Sequence, residues 1–189
     1  MSRSDDALKG YRSRRDPARS GEPVGAGGGR GAGDRFVVQR HDASSLHFDV
    51  RLEVGGVLVS WAVPKGPSTD PRDKRLAMRT EDHPLDYATF EGRIPQDEYG
   101  GGTVVVWDTG TYHNLDDRDV QDGLDRGHLK VWLEGEKVHG GYAFTRTGMR
   151  GDDRNWLLVK VTDEGADRRR KPVRTEPGSV LSDKRNEDL

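Results

Sequence analysis

The stretch HDASSLHFDVRL, residues 41–52, carries an apolar side chain at every second position from Leu46 onward. This period of two is typical of a β-strand with one face in a core. The intervening positions are His47, Asp49 and Arg51, so the other face presents an imidazole, a carboxylate and a guanidinium in a row. The stretch therefore predicts a half-buried strand whose polar face can hold a metal ion and a phosphate.

Further short runs of alternating or β-branched residues surround this strand, and glycine pairs such as Gly55-Gly56 separate them. No long helical period occurs, although residues 119–126 can form a short helix. The fold class that this pattern favours is mainly β, an antiparallel barrel or sandwich. We expect eight strands, at Phe36–Arg40, Leu46–Glu53, Val57–Val63, Leu76–Thr80, Thr103–Trp107, Leu129–Leu133, Tyr142–Thr147 and Trp156–Val161.

Composition limits the possible classes of protein. Apolar residues make up 31% of the 189 residues and charged residues 34%, and the apolar ones concentrate in residues 36–162, which we expect to be one domain. The net charge of −2 excludes a uniformly basic nucleic-acid coat, and the absence of cysteine excludes thiolate catalysis and Cys-ligated zinc. Because there is no apolar run of ~18 residues, we expect no membrane span and a cytoplasmic location.

The two ends of the chain are polar. Residues 1–35 combine a basic segment with a glycine-rich stretch, 21–33, that we expect to be flexible. Residues 163–189 are charged and almost free of apolar side chains, which predicts a disordered tail.

A metal site is one interpretation of the opening stretch. His47 and Asp49 lie on one strand face about 7 Å apart along the chain, and His41 can fold over from across the loop 42–45 as a third ligand. Two histidines and a carboxylate suit a catalytic Mn, Fe or Zn ion with open positions. The alternative is structural: His41 is a loop residue, and His47 pairs with Asp49 or Arg51.

Two further segments carry candidate residues. In EDHPLDY, residues 81–87, His83 and Tyr87 can both address a phosphate, but on its own this segment is better explained as a turn in which His83 caps local carbonyls. Lys65 follows a strand in a Pro/Gly loop and suits a contact to a nucleic-acid backbone, although a solvated charge is the more usual explanation.

Taken together, ordered blocks across residues 11–160 closely resemble the 3′-phosphoesterase domain of bacterial DNA ligase D. The blocks are H-x5-H-x-D-x-R (41–51), SWAVPKGPS (60–68), EDHPLDY (81–87) and GTVVVWDTGT (102–111). The resemblance implies a compact antiparallel β-barrel with short flanking helices. It also implies a Mn²⁺-dependent enzyme, with Zn²⁺ or Co²⁺ as alternatives, that removes a 3′-terminal ribonucleoside from DNA and then the remaining 3′-phosphate.

By the same resemblance, the substrate is a DNA primer–template 3′ end that carries a terminal ribonucleotide or a 3′-phosphate. The partners would be a separate DNA ligase or polymerase and end-binding repair proteins, because no Lys-x-Asp-Gly ligase signature occurs in this chain. We expect a stand-alone, monomeric version of the domain.

The resemblance assigns roles to individual residues. The metal ligands would be His41, His47 and Asp49. Lys65 and Arg75 would bind substrate near the site, and residues 11–22 would dock on it, which leaves flexibility to residues 25–33. A DNA substrate also implies that the protein is associated with the nucleoid. We expect His83 to be the general acid. The full catalytic set that the resemblance implies is Arg15, Asp16, Glu22, Arg51, Glu81, His83 and Tyr87.

Two other functions compete with this one. A non-catalytic DNA-end-binding module would need the basic residues but not the metal ligands. A 2-His-1-carboxylate iron oxygenase would need a distant third ligand and an oxo-acid pocket, and Arg51 argues against it because a guanidinium suits a phosphate.

Overall fold

The computed structural model describes residues 3–25 and 33–189, and in them nine antiparallel strands form one sheet in the order β1-β2-β3-β4-β9-β8-β7-β6-β5. Pairing between β1 and β6 closes eight of these strands into a barrel, and β5 extends the sheet beyond β6. This confirms the predicted antiparallel barrel. The strands are β1 (Arg35–Asp42), β2 (Leu46–Val54), β3 (Val57–Val63), β4 (Arg75–His83), β5 (Gly92–Ile94), β6 (Gly102–Asn114), β7 (His128–Glu134), β8 (His139–Arg146) and β9 (Asn155–Lys160).

The helices are all short. They are α1 (Arg3–Ala7), α2 (Lys9–Ser13), α3 (Pro17–Ser20), α4 (Val120–Arg126) and α5 (Pro172–Thr175), with 3₁₀ turns at Leu85–Thr89, Met149–Gly151 and Asn186–Asp188. The predicted helix near residues 119–126 is α4, which Asp119 caps by accepting a hydrogen bond from the backbone N–H of Asp122. No helix among the described residues is long and apolar enough to cross a membrane.

The barrel interior is the main hydrophobic core. On β2, the inward side chains are Phe48, Val50 and Leu52, as the period of two predicts. Trp61 and Trp156 meet at a ring-centroid distance of 5.6 Å in the same core. The polar residues of β2 therefore face outward, on the outside of the barrel wall.

A second, smaller cluster covers this outer face. Tyr11 of α2 packs with Val37, Leu58, Tyr87 and Val106, all buried. The N-terminal helices and the 3₁₀ turn Leu85–Thr89 thereby form walls around the polar face of β1 to β4.

The C-terminal segment differs from the sequence-based expectation, because residues 163–189 are not a disordered tail in the structure. Thr69 donates to the carbonyl of Asp167 (2.7 Å), Trp107 to that of Glu176 (2.7 Å), and Asn186, 2% exposed, to that of Thr103 (2.8 Å). Backbone carbonyls, a few polar side chains and the packing of Val173 and Val180 hold the segment in place. Because so few of its residues are apolar, its composition is like that of a disordered tail. Most of the predicted flexible stretch 25–33 falls on residues 26–32, outside the described residues.

Candidate metal and phosphate site

The three predicted metal ligands meet on the outer face of the β1–β2 pair. β1 continues through Asp42, so His41 is a strand residue directly opposite His47, and not part of a loop. Asp49 lies two residues along β2 on the same face, as the pleat requires. One ligand atom from each residue falls within a group no wider than 4.8 Å.

Backbone carbonyls fix which nitrogen of each imidazole is free. His41 Nε2 lies 2.7 Å from the carbonyl oxygen of Gly100, and His47 Nδ1 lies 3.1 Å from that of Ser45. Because a carbonyl oxygen only accepts, these two nitrogens carry the protons. The remaining lone pairs, on His41 Nδ1 and His47 Nε2, point at Asp49 at 3.4 and 3.3 Å. Two imidazole nitrogens and one carboxylate, each imidazole oriented by an outer hydrogen bond, form a donor set that fits a divalent transition metal.

The charge state of Asp49 suits a ligand. Burial alone would raise the pKa of Asp49, but the charge of Arg51 and the two imidazoles hold that pKa well below its usual range. Burial alone would lower the pKa of His47, but the hydrogen bond and charge of Asp49 raise it. A proton on His47 therefore competes with a cation for the same lone pair.

Arg51 is held rigidly next to the ligands. Its Nε donates to Gln39 (2.7 Å), one terminal nitrogen donates to Ser60 (2.9 Å), and the other lies 3.5 Å from Asp49. Its guanidinium also lies over the Tyr87 ring, 5.0 Å from the centroid. Sequence reasoning missed Gln39 and Ser60. The parity of β1 could have identified Gln39, since it is two residues before His41.

His83 is buried at the end of β4. Its Nδ1–H donates to the carbonyl of Glu81 (2.9 Å), and its Nε2 faces a guanidinium nitrogen of Arg15 at 3.4 Å. Burial, and then the charges of Arg51 and Arg15, hold the pKa of His83 well below its ordinary value. The imidazole is therefore neutral at pH 7, with its Nε2 lone pair free to accept a hydrogen bond.

An ion-pair network joins the N-terminal segment to this wall. Arg15 contacts Glu22 (3.0 Å) and Glu81 (3.0 Å), and Tyr87 donates its hydroxyl proton to Glu22 (2.7 Å). Burial, and then the charge of Glu22, raise the pKa of Tyr87 well above its ordinary value, so this hydroxyl stays protonated. Glu22 is thus a buried bridge between Arg15 and Tyr87.

These groups surround a cavity of about 290 Å³. Its lining is Arg15, His41, Ala43, His47, Asp49, Arg51, Ala62, Thr80, Glu81, His83, Tyr87, Ile94, Tyr99 and Gly100. Gly102, where β6 begins, passes so close to β1 that a Cβ there would collide with the carbonyl oxygen of Asp42. This close approach accounts for the last glycine of the Gly100-Gly101-Gly102 run.

Four predicted site residues are not in the cavity lining. Glu22 is buried behind it, where it contacts Arg15 and Tyr87. Asp16 is exposed and caps α3 by accepting from the backbone N–H of Ala18 (3.2 Å). Lys65 is exposed in the loop after β3, and Arg75 pairs with Asp73 (3.2 Å) at the opposite end of β4 from His83. Asp16 therefore fixes the turn that follows Arg15, while Lys65 and Arg75 lie outside the pocket.

Comparison with known proteins agrees with this geometry. Residues 39–146 match the model of the DNA Ligase D 3′-phosphoesterase domain family. The chain is 48% identical over 185 residues to the multifunctional non-homologous end joining protein LigD of Pseudomonas aeruginosa, which covers 96% of this chain and 22% of that protein.

Two mycobacterial proteins are also similar. LigD of Mycolicibacterium smegmatis is 44% identical over 165 residues, and that of Mycobacterium tuberculosis is 45% identical over 160 residues; each covers 84% of this chain. The chain spans about a fifth of the length of these relatives. The matched blocks include the two strands that carry the ligand cluster, and the chain belongs to the DNA ligase D 3′-phosphoesterase domain family.

Proposed function

We propose that this protein is a metal-dependent phosphoesterase that repairs 3′ ends of DNA during non-homologous end joining. It would release a 3′-terminal ribonucleoside to leave a 3′-phosphate, and then remove that phosphate to leave a 3′-hydroxyl. The observation that carries the proposal is the group of two imidazole nitrogens and one carboxylate, no wider than 4.8 Å, beside the buried Arg51. Membership of the family and the relatives' role in end joining support the same reaction class.

His41, His47 and Asp49 would hold the cation, which we propose is Mn²⁺. Bound there, it would supply Lewis-acid activation of a phosphate oxygen. Arg51 already has Gln39 and Ser60 as partners, so its remaining terminal nitrogen is the one that would meet the phosphate. Because these partners hold the guanidinium in place, it would neutralise charge in the transition state without rearrangement.

His83 cannot act as a general acid in the protonation state that it has in the free protein. In the free protein it is neutral, and its only N–H points at a backbone carbonyl. We propose that the charge of an arriving phosphate draws Arg15 away from His83 Nε2 and raises the pKa of His83. The imidazole would then hold a proton at Nε2 for the leaving sugar oxygen.

The product of both steps, a 3′-hydroxyl, is the end that DNA ligases and polymerases use. We therefore propose that a ligase or polymerase, together with end-binding repair proteins, acts on the same break.

A labelled primer–template that ends in one ribonucleotide tests the function directly. With Mn²⁺, the protein should shorten the primer to a 3′-phosphate and then to a 3′-hydroxyl, and His41→Ala and His83→Ala should not. His128→Ala is the matched control, since His128 lies on the surface and outside the cavity lining. No product with the unaltered protein, or equal product with His41→Ala, would refute the proposal. End binding without turnover would instead favour a non-catalytic end-binding module.

A further inference from the structure

Tyr99 is an aromatic side chain at the mouth of the cavity with no role in the reaction described above. It is 48% exposed, whereas Tyr87, the other tyrosine of the cavity lining, is 2% exposed. A large exposed ring beside a pocket that contains two guanidinium groups suits stacking with a nucleobase, because every base has an aromatic face.

The loop that carries Tyr99 is rigid. Two tight turns close it, with the N–H of Glu98 donating to Pro95 (3.0 Å) and that of Gly101 donating to Glu98 (3.0 Å). Gly100 follows Tyr99 directly, and its carbonyl accepts the hydrogen bond from His41. Tyr99 is therefore adjacent in sequence to the residue whose carbonyl oxygen bonds His41, and the two turns hold its ring next to the ligand cluster.

Two arginine side chains contact Tyr99. Arg15 lies between two tyrosines, 4.0 Å from the Tyr11 centroid and 5.3 Å from that of Tyr99. Arg14, half-exposed, donates to the Tyr99 hydroxyl at 3.3 Å. These contacts set the direction of the ring and leave about half of its surface open to a ligand.

We propose that Tyr99 is the platform on which the base of the leaving 3′-terminal nucleoside stacks. This inference rests on the proposed function. The reacting phosphate would lie between Arg51, His83 and the ligand cluster, deep in the cavity. The group that leaves extends from it toward the mouth, where Tyr99 is the exposed aromatic residue of the lining. Tyr99 would contribute to binding of the nucleoside-ended substrate and not to binding of the 3′-phosphate end, which has no leaving base.

The test compares three primer ends and three variants. Tyr99→Ala should raise KM for the ribonucleoside end at least about fivefold more than for the 3′-phosphate end, which is the lower range of base–aromatic stacking. Tyr99→Phe keeps the ring and should restore binding. For an end that carries an abasic ribose, the unaltered protein and Tyr99→Ala should have similar KM values. Leu115→Ala, which changes an exposed side chain outside the site, is the control.

Several outcomes would overturn the proposal. Equal loss on both ends would mean that Tyr99 only anchors the N-terminal segment or contacts the upstream strand. Loss in Tyr99→Phe would mean that the hydroxyl contact to Arg14 is what matters.

A binding readout keeps the test independent of turnover. Fluorescence of 2-aminopurine at the terminal ribonucleotide should be quenched by the metal-free protein, and Tyr99→Ala should abolish the quenching. Quenching in the metal-free protein, followed by no primer shortening after Mn²⁺ is added, would support Tyr99 and refute the proposed reaction. Equal quenching by Tyr99→Ala would refute the role of Tyr99 alone.

Discussion

Replacing Gln39 by Leu should weaken both the fold and the site. Gln39 is fully buried; it accepts from Arg51 Nε (2.7 Å) and donates to the carbonyls of Tyr87 (2.8 Å) and Phe90 (3.1 Å). Leucine has a similar volume but makes none of these hydrogen bonds. The Tyr87 carbonyl keeps the N–H of Phe90 as a donor, but Arg51 Nε and the Phe90 carbonyl then lack a partner. At about 1–3 kcal/mol each, the free energy of unfolding should fall by about 2–6 kcal/mol.

The same change should release Arg51 from one of its two neutral partners, leaving Ser60 as the other. A guanidinium that is free to move loses part of its charge-assisted contact to phosphate, worth about 1.5–3 kcal/mol, so kcat should fall about 10- to 100-fold. Urea unfolding gives the first quantity, and initial rates on a 3′-phosphate end, measured where the variant is still folded, give the second.

Gln121→Leu is the matched control, because Gln121 is exposed on α4 and bonds only to Asp125. Two results would refute the reasoning. Unchanged stability of Gln39→Leu would mean that the three hydrogen bonds contribute little. Lost stability with unchanged kcat would mean that Arg51 does not depend on Gln39.

Three further predictions concern other groups. Asp16→Ala should destabilise α3 and lower activity through Arg15, whereas Asp16→Ser, which keeps a capping oxygen, should restore activity in the primer assay; equal loss in both would give the Asp16 charge a direct role. Saturating Mn²⁺ at 100 times its Kd should stabilise the protein by about 2.7 kcal/mol in a thermal melt, and this gain should disappear in Asp49→Asn; an equal gain in the variant would place the cation elsewhere. Because the pKa of His83 is held below the ordinary histidine value of 6.5, the stability that its neutral imidazole contributes is present above pH 6.5 and is lost as the pH falls below that value. The raised pKa of His47 acts in the opposite sense. Urea unfolding at pH 7.5 and 5.5 should therefore show that the free energy of unfolding falls less with pH in His83→Asn than in the unaltered protein. Equal falls would contradict the lowered pKa of His83.

The sequence predicted the strands well where a period of two was visible. β2 has alternating residues on its two faces, so Phe48 and Val50 were assigned inward and Asp49 outward, as the structure has them. β5 was missed because Gly92–Ile94 contains a single apolar residue. The end of β1 was placed too early because His41 and Asp42 are polar, although pairing with both β2 and β6 keeps them in the sheet.

The supporting groups of the site were less predictable. That His41 lies directly opposite His47 depends on the register of the β1–β2 pair, and the carbonyls that orient the two rings carry no side-chain signal. The low pKa of His83 depends on burial and on the charges of Arg51 and Arg15, and Arg15 comes from a segment 68 residues away in sequence. The resemblance suggested the residues near the site but not which of them contact one another.

The two-sided character of β2 has a consequence for how this chain tolerates length changes. Inserting or deleting one residue between Leu46 and Val54 would exchange the inward and outward faces in the part of the strand that follows the change. A change before Asp49 would place Asp49 in the core and Val50 at the site. Such a shift of register within the strand would disrupt both the hydrophobic core and the ligand cluster. The Gly55-Gly56 turn and the exposed bend at residues 115–118 lie outside this strand, so length variation among homologues should concentrate there and be absent from β2.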